Sequence, residues 1–271
     1  MYSSFVKHWR HILWAAIALS VALPFIHPLG LPIKIGTETK SSYEAINNLP
    51  EDSIVVMILS YQSGNWPECG PIETSFLSHL AKRPLRTVIL SINTESAELT
   101  RTRIFPIIDW GNKEYGVDWV YLGFLAGEET GLKSFADNVW DTLHTDFYGT
   151  SFENLPIMED LKTGSDIKLI INIHSLYAEP VIRQFNTPYG TRILVGTQIG
   201  NIVTQKPYLE SGQLQGAVFG IRGAAEYDSL IGRKTDVIIS MDSLTLSHIV
   251  AITAIILGNI TYFMEGKKSR M

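Results

Sequence analysis

The stretch Ser53 to Ser60 (SIVVMILS) decides the fold. It follows a Pro50-Glu51-Asp52 turn, is rich in β-formers, and shows no alternation of apolar and polar residues. A continuous apolar run of four to eight residues is the mark of a strand buried on both faces, as in parallel sheets. Four more runs follow: Arg86 to Ile92 (RTVILSI), Val117 to Phe124 (VDWVYLGF), Ile167 to Ile173 (IKLIINI) and Arg192 to Thr197 (RILVGT).

Helical patterns separate these runs. Pro71 to Lys82 places Ile72, Phe76, Leu77 and Leu80 at helical spacing, and Leu132 to Leu143 does the same with Phe135, Val139 and Trp140. Glu95 to Tyr115 carries Leu99, Ile104, Ile107 and Ile108, with Pro106 as a break. Strands alternating with helices predict an α/β domain, a doubly wound, mainly parallel sheet of about five strands. A last pattern, Gly212 to Ile231 (GQLQGAVFGIRGAAEYDSLI), reads as one helix with Gly216, Gly220, Gly223 and Ala224 three or four apart. Each interior glycine weakens a helix by about 1 kcal/mol relative to alanine. The expected compensation is a backbone-close contact, either with the domain's own sheet or with another subunit.

The 271 residues are 45% hydrophobic and 18% charged, which excludes a disordered or collagen-like chain. A net charge of −5 argues against nucleic acid as a partner, and a single cysteine, Cys69, excludes a disulfide framework. Ile12 to Ile33 contains no charged residue, with Phe5, Trp9 and Trp14 near its start. It reads as a membrane anchor whose helix fades between Leu23 and His27. A cleaved leader is the rival reading, with Lys7 and Arg10 before it and Ser20-Val21-Ala22 as cleavage site. Leu244 to Met264 is a second apolar stretch, with His248 and Asn259 inside it and Lys267, Lys268 and Arg270 beyond. Basic flanks stay in the cytoplasm. The section Lys34 to Ser243 holds 17 basic and 26 acidic residues. The expectation is an integral membrane protein of two spans. It has a tail and span in 1–35, an extracytoplasmic domain in 36–243, a second span in 244–264 and a basic cytoplasmic tail in 265–271.

The tract Ser211-Gly212-Gln213-Leu214, then Gly223-Ala224-Ala225-Glu226-Tyr227, then Met241, Ser243, His248 and Gly258-Asn259-Ile260, carries a resemblance. Asp146 to Thr150, Leu155 to Met158, and the tract around Glu68 and Pro71 extend it. With these residues the chain resembles an uncharacterised family of two-span membrane-anchored α/β proteins. The resemblance implies that architecture and no reaction.

No catalytic signature stands out, and none calls for a cofactor or a metal. Gly127 to Ser134 (GEETGLKS) has the wrong spacing for a phosphate-binding loop. No G-x-S-x-G, G-x-G-x-x-G or H-E-x-x-H occurs. What remains is position, because ligands in open α/β sheets bind beyond the carboxyl ends of the strands. Glu68, Glu73, Glu128, His174 and Gln198 stand at or just after such ends and make a candidate ligand site. Asn93, Glu95, Glu129, Ser175, Glu179 and Asn201 stand nearby. Cys69 as a nucleophile would need His174 close by, and Glu68 beside it would raise its pKa. Two functions follow. One is a scaffold subunit that assembles with itself or other membrane subunits through Gly216, Gly220, Gly223, Ala224 and Asn259, and the reading leans to this non-enzymatic role. The other is a membrane-tethered enzyme or a ligand- or metal-binding domain using the strand-end carboxylates and His174.

Overall fold

The computed structural model describes residues 2–176 and 178–268, with side chains described for 9, 11–176 and 178–262. The basic flanks on which the topology expectation rests, Lys7, Arg10, Lys267, Lys268 and Arg270, therefore lie outside the described side chains. The chain forms two compact units, Lys34–Arg233 and the two chain ends together.

The central unit is an α/β domain around six parallel strands: β1 (Ile54–Ser60), β2 (Arg86–Ser91), β3 (Trp119–Phe124), β4 (Leu169–His174), β5 (Arg192–Thr197) and β6 (Gly216–Phe219). Their order is β3-β2-β1-β4-β5-β6, and every pairing is parallel. Winding turns back between β1 and β4. The strands β1, β2, β4 and β5 are buried along almost their whole length, which is why their sequences read as unbroken apolar runs.

The helices take chain order. In the end unit α1 is Tyr2–Ile26, and in the central unit α2 is Thr37–Asn47, α3 is Trp66–Ala81 and α4 is Thr94–Leu99. Then come α5 (Glu128–Asp137), α6 (Val139–Thr142), α7 (Glu179–Val181), α8 (Thr187–Tyr189), α9 (Ile202–Glu210) and α10 (Gly220–Leu230), and in the end unit α11 (Asp236–Lys268). One face of the sheet is covered by α2, α3, α4 and α10. The other face packs Ile54, Val56, Ile58, Val88, Val120, Ile170 and Val195 against Leu132, Phe135, Phe152, Val181 and Phe185. The first face is pinned by polar groups. Glu226, nearly buried, accepts from Gly36 N (2.9 Å), Thr39 Oγ1 (3.0 Å) and Arg222 Nε (3.0 Å). His79 Nδ1 meets Tyr227 Oη at 2.8 Å under the stacked ring of Tyr43.

Three expectations change. The Gly212–Ile231 pattern is not one helix, because Gly216–Phe219 is the sixth strand and the helix starts at Gly220, whose φ is +59°. A Cβ on Gly216 would lie 2.6 Å from the backbone nitrogen of Ser42, so the close approach there is of α2 across the sheet edge. A Cβ on Gly223 would lie 3.0–3.2 Å from Val218, within the same turn of chain. The Glu95–Tyr115 pattern shortens to α4, a π-turn at Thr100–Ile104 and a 3-10 turn at Phe105–Ile107, where Pro106 removes a backbone donor. Finally, the helix expected from Pro71 begins earlier, since α3 starts at Trp66 with Pro67 in its first turn, where proline is tolerated.

In the end unit, α1 packs along α11. Ser20 Oγ meets Ser247 Oγ at 3.2 Å, and Ser243 Oγ donates to Val21 O at 3.0 Å. Past α1 the chain wraps a carboxylate: Asp242 accepts from the amides of Leu29, Gly30 and Leu31 at 2.9, 2.9 and 3.0 Å. Asp236–Tyr262 of α11 is long and apolar enough to cross a membrane, and His11–Ile26 of α1 is a shorter apolar helix.

Candidate functional site

The reversal of winding leaves a gap at the carboxyl ends of β1 and β4, where no crossover covers the sheet. A cleft of about 370 Å³ occupies it. Ser60 and Gln62 come to it from β1 and the chain just after it, Ile92 and Asn93 from the end of β2, Glu128 and Glu129 from the first turn of α5, and Leu176, Pro180 and Arg183 from the chain after β4. A wider groove of about 690 Å³ between α5, α6 and the end of β3 lies at the sheet's edge, away from this switch point.

Charge in the cleft is arranged by a fork. Arg183 Nε and Nη2 donate to the two Glu129 oxygens at 2.8 and 2.7 Å, and Gln184 Nε2 adds a third bond at 3.0 Å. These donors hold the Glu129 carboxyl down to about 2, Arg183 first and Gln184 second. Glu128 beside it sits at φ +47°, a left-handed conformation that side chains rarely adopt. Asn93 Oδ1 is spent as the cap of α4, accepting from Glu95 N and Ser96 N. Glu95 in turn accepts from Ser63 N at 2.8 Å, and the Ser63 side chain first, with this amide second, lowers its pKa.

Of the five expected site residues, only Glu128 lines this cleft. Glu68 lies elsewhere, accepting from Ile199 N at 3.0 Å, next to Gln198 in sequence and against Gly220. Glu73 is sealed inside the α3 face. Its oxygens accept from Tyr61 Oη at 2.5 Å and Thr100 Oγ1 at 2.7 Å. Burial raises it to about 7 against the pull of those two hydroxyls. His174 points to the opposite face, which it shares with Ile170 and Asn172, and burial lowers it to about 4. Cys69 lies against the His174 backbone carbonyl at 3.8 Å rather than its ring, and burial pushes the thiol up to about 12, Glu68 and Glu73 adding to it. Among the described residues no three His, Cys, Asp or Glu side chains group as a metal site.

The sequence reading missed Arg183, because the crossover after β4 was not recognised as helical. Its signal was there in Val181, Ile182 and Phe185, three apolar residues at helical spacing, all now in the core. The glycine positions serve the fold as described above, while Ala224 is wholly buried and Asn259 is exposed on α11.

Six parallel strands wound both ways from a central switch point, with a polar cleft at that point, define a doubly wound α/β domain. Comparison with known proteins adds nothing to this description: no protein-family model matches the chain, and neither a curated protein nor a solved structure matches it.

Proposed function

We propose that the chain is a membrane-anchored binding protein whose α/β domain holds a small polar ligand in the cleft between the ends of β1 and β4. The observation that carries this is the position of the cleft, at the one place where a doubly wound sheet leaves its strand ends uncovered. The strained backbone of Glu128 at its lip supports it, since such strain persists where the surroundings over-determine a conformation, often at ligand sites. The expected test is a thermal-shift screen of the whole protein against sugars, nucleotides and divalent metals. A ligand that stabilises the natural chain should lose its effect in Arg183→Ala. Equal shifts in both proteins for every ligand would place binding elsewhere.

Two apolar segments and basic flanks support two spans with both termini in the cytoplasm and the acidic domain outside. Protease added to right-side-out vesicles should then cut after Lys82 or Arg101, and protection there with cleavage at Lys267 would reverse the topology. One observation favours assembly as a second role. Asn259 is an exposed amide on an apolar helix, and a cross-helix bond to such a group contributes about 0.5–2 kcal/mol in a bilayer. Crosslinking in native membranes should give oligomers that Asn259→Leu weakens. Monomers alone at every loading would remove this role.

A further inference from the structure

Behind the cleft lies a set of polar atoms without partners. Asn172 Oδ1 and Nδ2, both ring nitrogens of His174, Gln205 Oε1 and Glu179 Oε2 are buried with no hydrogen-bond partner among the described residues. More than nine in ten buried polar groups find a partner, so four such side chains together call for an occupant. Asn172, His174 and Gln205 are at most 1% exposed.

The topology brings them to one place. Asn172 and His174, two apart on β4, point to the same face. His174 is level with Ser60 of β1 on one side and with Thr197 of β5 on the other. Ser60 lines the cleft, as does Leu176 two residues beyond His174. From the far side, Asn201 donates to Thr197 Oγ1 at 2.8 Å and to Ser175 O at 3.1 Å. Gln205 and Tyr208 follow it at helical spacing on the same face of α9, and Tyr208 Oη reaches Glu179 Oε1 at 3.0 Å. His174 thus lies on the sheet face that carries Ser60 of the cleft on one side and Thr197, held by Asn201 before α9, on the other.

We propose that Asn172, His174, Glu179 and Gln205 form the inner end of the cleft and bind a small uncharged molecule bearing two or more hydroxyl groups, a sugar or a polyol. This rests on the reading of the cleft as the ligand site. Burial keeps the imidazole neutral at pH 7, so it offers one donor and one acceptor. The Asn172 amide offers both, and the two remaining oxygens only accept. Acceptors outnumber donors, which suits hydroxyl groups, since each gives one bond and takes others. An anion would meet Glu128, Glu129 and Glu179, while Arg183 is already committed to Glu129.

The test uses the full chain in lipid nanodiscs, titrated with D-glucose, myo-inositol, the anion D-gluconate and the cation D-glucosamine. Melting temperature and the ring-nitrogen signals of His174 are followed. At least one neutral polyol should raise the melting temperature and shift the His174 signals to saturation. Asn172→Leu removes two unpaired polar atoms without breaking a bond, so it should melt no lower than the natural chain yet bind the polyol at least tenfold more weakly. Unchanged polyol affinity in Asn172→Leu, with loss in Arg183→Ala, would confine binding to the outer cleft and overturn the inner site alone. Should Asn172→Leu not fold, His174 signals that ignore the bound polyol would overturn it equally. Tighter binding of a charged analogue, or no binding of either neutral one, would overturn the ligand class, while the cleft itself is judged separately by the Arg183→Ala screen.

Discussion

Glu73 shows how a residue that looks like a site residue can be a structural one. Its carboxyl is wholly buried and titrates near 7, far above a free glutamate, because burial outweighs the hydroxyls of Tyr61 and Thr100. Between the unfolded value and 7 the folded chain holds a proton that the unfolded chain has released. Stability from this group is therefore full below about 4.3 and falls as pH rises through 7. Glu73→Gln should abolish that fall, so the variant should gain on the natural chain from pH 5 to pH 8 by on the order of 2–3 kcal/mol. Melting curves at the two pH values check it; a constant difference would mean Glu73 does not titrate in this range. His79 and His174 act the opposite way. Burial lowers both to about 4, so each costs stability as pH falls below its unfolded value near 6.5. Glu68, Glu73, Glu128, His174 and Gln198 were legible as residues near strand ends, but chain position does not say which face a side chain takes. Glu73 and His174 part across the sheet for that reason.

At the scale of elements, five strands were legible to within two residues at each end, because burial on both faces leaves nothing but apolar side chains to read. The sixth was not, since four residues, Gly216–Phe219, are too few to separate a period of two from a period of 3.6. Its first glycine now has a definite role. Gly216→Ala drives a methyl into the backbone of Ser42 and should cost about 1–3 kcal/mol. Gly200→Ala, with open space around it, should stay within about 0.5 kcal/mol. Similar melting temperatures for the two variants would refute the tight approach of α2. In the end unit, Asp242→Ala leaves three amides without their acceptor. Exchange at Leu29, Gly30 and Leu31 should accelerate at least tenfold, equivalent to about 1.4 kcal/mol. Unchanged exchange would show that the turn holds without the carboxylate.

The molecule as a whole is two bodies, and the central one carries its own core on both faces of its sheet. Residues 34–233 expressed alone should therefore melt in one cooperative transition by circular dichroism. A broad, non-cooperative melt would show that the chain ends supply part of its stability. The burial of Cys69 reaches into the laboratory as well. The one sulfhydryl of the chain is fully enclosed, and a group pushed up to about 12 is almost never the reactive thiolate at neutral pH. The natural sequence in its native state should therefore be silent to maleimide dyes, and labelling before and after unfolding checks it. Any cysteine introduced on the surface would then report alone, and surface labelling can proceed without first removing a residue from the core.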